Sequence, residues 1–226
     1  MSIASQIQSI NNELPSTVRL VAVSKYKPVE AVMEAYEAGQ RVFGENRPQE
    51  LSAKVMVTPS DIEWHFIGHL QTNKIKMVVP YASMIESIDS LKLLKAVNAF
   101  AESIGKVADC LLEVHIATDE QTKQGFLPEE VMELVKDFEK YSYIRFRGLM
   151  GMASNTDDKE LVRSEFRSLK GLLEDVRAYG RDNRRIWVDS FDELSMGMSQ
   201  DYGIAIEEGA TLIRIGTSIF GPREYK

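Results

Sequence analysis

The sequence predicts an α/β protein folded as a single closed (β/α)₈ barrel of the TIM type, with an extra N-terminal helix. Short β-branched runs alternate with longer helix-period patterns as far as the C-terminus. The roughly 212 residues after the first helix make about eight units of about 26 residues, near the small end of a barrel that typically needs about 250. Polar and glycine-containing segments follow the strand runs, as expected where a barrel carries its functional face. A doubly wound open sheet shares the alternation but would use fewer strands or an additional domain. No repeat, low-complexity stretch or Gly/Ser linker divides the chain, so 1–226 is expected to be one domain.

The elements follow in order. Ile3, Ile7, Ile10 and Leu14 recur at helical spacing before Pro15 and predict the extra helix. A strand over 18–24 precedes a helix opening at Pro28 and closing at Gly39, with Val29, Val32, Met33 and Tyr36 on its apolar face. Strands over 41–43 and 63–67 follow, then a helix over 72–79 stopped by Pro80. After a strand at 84–87, Asp89 is the expected cap of a helix that turns Leu91, Leu94, Val97, Ala101 and Ile104 inward. A strand at 109–116 leads to a helix from Pro128 carrying Val131, Leu134, Val135 and Phe138. The strand at 144–149 precedes the longest helix, with Leu161, Phe166, Leu169, Leu172, Leu173 and Val176 inward. Strands at 193–196 and 211–215 complete the series, each running into a helix start.

Composition narrows the function classes. Hydrophobic residues make up 44% of the 226, enough for a sizeable core. Lys+Arg 27 against Asp+Glu 34 leaves a net charge of −7, which argues against gripping nucleic acid or an anionic membrane. The lone Cys110 precludes an intrachain disulfide and agrees with a reducing compartment. His65, His69 and His115 form no zinc-type spacing. Without a basic-then-apolar leader or a run approaching the roughly 18 residues of a membrane span, the chain is expected in the cytoplasm.

At the strand ends, Lys25 follows Val21-Ala22-Val23-Ser24, which would place an amine at a barrel mouth whose apolar walls favour its neutral, nucleophilic form. Taken alone, it reads as a lysine snorkelling to solvent. Near the C-terminus, Arg214-Ile215-Gly216-Thr217 ends a strand in a glycine and a Thr/Ser helix start, a suitable anion cup. Ser195, Gly197 and Ser199 form a similar cup before a helix near Gln200. Each glycine alone is a capped tight turn, but paired cups on the final units sit where barrels commonly keep phosphate. In a closed barrel the first and last strands are neighbours, so amine and cups describe one site for a phosphorylated aldehyde, a description that pyridoxal 5′-phosphate (PLP) fits.

These residues resemble the pyridoxal phosphate homeostasis proteins over 18–225. The resemblance rests on Val21-Ala22-Val23-Ser24-Lys25, Phe43-Gly44-Glu45-Asn46 and His65-Phe66-Ile67-Gly68-His69-Leu70-Gln71-Thr72-Asn73-Lys74. It continues through Leu194-Ser195-Met196-Gly197-Met198-Ser199 with Asp201, and Arg214-Ile215-Gly216-Thr217 with Phe220-Gly221. One departure is Arg47-Pro48, where members usually carry Tyr-Val. The resemblance implies a fold like the N-terminal domain of alanine racemase. It implies PLP held as a Schiff base on Lys25, with its phosphate on Ser195, Gly216 and Thr217 and with Ser199 assisting. Arg214 would face the pyridine nitrogen, Asn46 and Met150 would line the pocket, and Lys123 would stand near O3′.

An arginine beside the pyridine nitrogen keeps it unprotonated and weakens the ring as an electron sink. Racemisation needs two opposed acid/base groups, one of which the racemases take from a second domain. Tyr26 is a candidate for that role but reads more simply as a rim aromatic. The expectation is therefore a monomeric PLP carrier and buffer supporting PLP and amino-acid homeostasis, without established turnover and with PLP-dependent apoenzymes as partners. The alternatives are a PLP-dependent amino-acid racemase and a colourless sugar-phosphate-binding barrel. The 69–74 segment reads as a loop-to-helix cap, with Lys74 and Lys76 near the mouth.

Overall fold

The computed structural model describes residues 2–118 and 124–222. Eight parallel strands close in sequence order, β1 to β8: Arg19–Val23, Val42–Glu45, Glu63–Phe66, Met84–Ile88, Ala108–Val114, Ile144–Gly151, Glu193–Ser195 and Leu212–Ile215. β8 returns to β1 with Leu20 opposite Ile213 and Ala22 opposite Ile215, so the expected barrel is the observed one. The helices α1 to α8 are Ile3–Glu13, Val29–Glu37, Pro48–Val55, Leu91–Ser103, Pro128–Leu134, Lys159–Asp182, Tyr202–Glu207 and Thr217–Phe220. None is long and apolar enough to cross a membrane.

Strand alternation sorts the apolar residues into two cores. Val21, Val42, Met84, Leu111, Met150 and Leu212 fill the barrel interior. A larger set, including Phe43, Trp64, Phe66, Leu94, Leu112, Phe166 and Ile213, packs between strands and helices. Within the latter, Phe138 stacks on Phe146 at 3.7 Å between ring centres. α6 buries Val162, Phe166, Leu169, Leu172, Leu173 and Val176 on one stripe. The same face carries Glu165, which accepts hydrogen bonds from the backbone and hydroxyls of both Thr118 and Ser154 and so ties down the chain after β5 and β6. Leu161, expected inward, is only partly buried, and Val162 takes its place.

Other local readings are corrected. The cap of α4 is Ser90, whose hydroxyl accepts the Leu93 N–H at 3.3 Å, because Asp89 is held by His69 at 2.8 Å. The helix therefore buries Leu93 with Leu94, Val97 and Ala101, while Leu91 and Ile104 are exposed. Residues Thr72–Met77 form a 3₁₀ helix rather than an α-helix, and the helix from Pro128 tightens to 3₁₀ over Val135–Lys140. α7 starts at Tyr202, later than expected. α3 was not expected: its only buried residues are Leu51 and Lys54, so no apolar stripe announces it, although Pro48 occupies the first turn.

Candidate functional site

Lys25 leaves the end of β1 in a turn over residues 24–27, closed by the Lys27 N–H donating to Ser24 O at 3.0 Å. Its side chain is half-buried. Across the closure, Gly216 lies against Val23: a Cβ built there would stand 3.1 Å from Val23 O. Lys27 Nζ also reaches Pro222 O at 2.9 Å. The two ends of the sequence thus meet at one rim.

On that rim the chain just past β7 is joined to β8 by Arg214 N–H donating to Gly197 O at 2.9 Å. Gly197 has φ +92°, and a Cβ there would come within 2.6 Å of the Ala205 Cβ, so only glycine makes this bend. Asp201 accepts the Met198 N–H at 2.5 Å and steadies the loop, and burial raises its pKa, against the Met198 bond and the charge of Arg214. Thr217 is exposed and Ser199 half-buried. The first N–H groups of α8, at Thr217 and Ser218, have no intrahelical acceptor.

Below the mouth lies a buried polar network. Arg214 donates to Ser195 Oγ at 2.5 Å and to Gly151 O at 3.1 Å, and Ser195 Oγ donates to Glu86 Oε2 at 2.5 Å. His65 Nδ1 meets Glu86 Oε1 at 2.6 Å. Because β4 and β7 are not neighbours, these contacts cross the barrel interior. Burial pushes the Glu86 carboxyl up, but His65, Arg214 and Ser195 outweigh it and hold it below the ordinary range. Burial pulls the Arg214 guanidinium down, opposed by Glu86, Glu113 and Asp201. Glu113 on β5 is raised to about 7 by burial and by Asp89, against Arg214, Gln124 and His69. Beside it, His69, Asp89, Ser90, Gln124 and Gly125 line a cavity of about 450 Å³.

The family model of the alanine racemase N-terminal domain matches residues 1–224. A pyridoxal phosphate homeostasis protein of Schizosaccharomyces pombe is 40% identical over 223 residues, covering 98% of this chain and 90% of that protein. One from Vibrio alginolyticus is 40% identical over 216 residues, covering 93% and 89%. This chain belongs to the pyridoxal phosphate homeostasis protein family. PipY of Synechococcus elongatus, solved with PLP bound, is similar to it with a TM-score of 0.86 and 33% identity, over 97% of this chain and all of that one.

The residues present fit the family's cofactor. Besides the half-buried lysine and the glycine-lined rim, Asn46 at the end of β2 has a buried Oδ1 without a hydrogen-bond partner among the described residues. Asn46 is fixed from behind by Gly68, where a Cβ would collide with the Asn46 backbone and whose carbonyl accepts the Ser87 hydroxyl at 2.5 Å. Met150 is 1% exposed and belongs to the apolar barrel interior. Ser195 is fully buried, with its hydroxyl engaged by Arg214 and Glu86. Lys123, assigned to the O3′ side by resemblance, lies outside the described residues. Sequence reasoning missed Glu86, Glu113 and Lys54. The available signal for Glu86 was an acid with Met84, Ile85 and Ile88 in one short strand, where a charge survives only if paired inside.

Proposed function

We propose that the protein binds PLP reversibly and buffers it, supporting PLP and amino-acid homeostasis. When bound, PLP supplies an aldehyde for capture of an amine. Lys25 Nζ bonds to that carbon with loss of the aldehyde oxygen as water. Gly216 and Thr217 hold the phosphate with backbone N–H groups and a hydroxyl, and Ser199 assists from the neighbouring loop. Ser195, assigned to the phosphate by resemblance, has its hydroxyl engaged by Arg214 and Glu86, and instead closes the base of this cup by fixing Arg214, which faces the ring nitrogen. Asn46 supplies its unpartnered oxygen to the ring side, and Met150 backs the pocket.

The observation that carries this reading is the meeting of Val23, two residues before Lys25, with Gly216 across the barrel closure. The names of the Schizosaccharomyces pombe and Vibrio alginolyticus relatives, both homeostasis proteins, support a carrier over a racemase, and we expect no turnover of amino acids. We assign the chain to the cytoplasm as a monomeric, single-domain binder that passes PLP to apoenzymes.

Purified protein mixed with PLP should show a visible absorption band that Lys25→Ala abolishes. The same band and affinity in Lys25→Ala would reject the assignment. Saturable racemisation across an amino-acid panel, lost with Lys25, would replace the carrier by an enzyme.

A further inference from the structure

Helix α3 carries a buried lysine and, one turn earlier, a partly buried glutamate, and their hydrogen bonds go to the chain on either side of Lys25. Lys54 is buried, and its Nζ donates to Ser24 O at 2.8 Å and to Glu45 Oε1 at 2.6 Å. Ser24 O belongs to the peptide group that leads into Lys25. The Ser24 hydroxyl donates to the same Glu45 oxygen at 2.6 Å. On the other side, the Tyr26 N–H donates to Glu50 Oε2 at 2.8 Å, and Glu50 stands 3.6 Å from Lys54. Immediately after the second grip, Tyr26 has φ +63°, a left-handed conformation that a bulky aromatic rarely adopts and keeps only when its surroundings impose it.

Stability alone does not account for this arrangement. Burying a lysine and a glutamate in the layer between barrel and helices carries a desolvation penalty that an apolar pair of similar volume would avoid. Moreover, Glu45 Oε2 has no hydrogen-bond partner among the described residues, and burial raises the Glu45 carboxyl despite Lys54 and Ser24. What an apolar pair would lack is a donor for the Ser24 carbonyl. We propose that Lys54 and Glu50 are positioning residues for Lys25: they clamp the peptide groups before and after it and hold the Tyr26 turn that aims its amine into the mouth. This inference rests on Lys25 being the PLP-binding amine.

The test compares PLP with pyridoxine 5′-phosphate, which has the same ring and phosphate but no aldehyde. Lys54→Met should weaken PLP binding at least tenfold by absorbance titration, while calorimetry finds pyridoxine 5′-phosphate bound within twofold of the wild-type affinity. Adding Tyr26→Gly, which accepts positive φ without help, should restore part of the loss. Equal losses for both ligands would make Lys54 merely structural, and no loss for either would remove its role; each overturns the inference. If Lys54→Met does not fold, the same comparison on Glu50→Ala decides, with PLP alone expected to weaken. Lys25→Ala separates the two levels. Its failure to weaken PLP overturns the binding reading and this inference together, whereas a large loss there with none in the clamp variants overturns only the clamp.

Discussion

Glu113 and Glu86 both lie inside the barrel, yet their surroundings move them in opposite directions. Glu113 is raised from 4.5 to about 7, so the native state keeps a proton that the unfolded chain releases earlier. Its effect is absent at low pH and becomes destabilising as pH rises through that window, to roughly 3 kcal/mol above it. Glu113→Gln should therefore stabilise the protein at pH 8 and do little at pH 4.5, measured by urea unfolding; burial sets the window first, and Asp89, Arg214, Gln124 and His69 adjust it. Glu86 is held low, so its contribution is present above the unfolded pKa and lost as pH falls through the folded one. Glu86→Gln should destabilise at pH 8 by about 3–5 kcal/mol, because Arg214 loses its buried partner. At this scale the sequence showed Lys25, Gly216 and Thr217, whose residue types state their chemistry at strand ends. It hid Glu86, Glu113 and Lys54, because a buried charge is recognised by its partners, and these come from other strands and helices.

The elements divide in the same way. α6 was legible from its apolar stripe, the one face it buries against the core, and β1 and β8 from their β-branched runs, buried on both faces. α3 was not, because its inward face is Leu51 and a lysine. Its short apolar content hides the helix that holds the Lys25 turn. One loop and one helix can each be probed with a glycine. Gly197→Ala forces a Cβ into Ala205 at φ +92° and should cost about 2–3 kcal/mol. Gly171→Ala, in the interior of α6 with open space around it, should instead stabilise by about 0.5–1 kcal/mol. Thermal unfolding of the two variants checks both signs, and only Gly197→Ala should also weaken PLP binding, since its loop borders the β8 cup.

For the whole molecule, closure was the inference with the greatest reach. Unit counting gave eight strands, and β1 pairing with β8 unites residues nearly two hundred positions apart. The interior then accommodates what neither end holds alone: an apolar plug through Met150 and a crossing network from His65 to Arg214. That network could not be read from spacing, because its members become neighbours only after the sheet has curled. The most direct measurement is a crystal structure of the protein grown with PLP. The account predicts continuous density from Lys25 Nζ to the aldehyde carbon, with the phosphate of the same molecule on the Gly216 and Thr217 N–H groups. Density joining PLP to another lysine, or a phosphate seated away from the β8 cup, would contradict it.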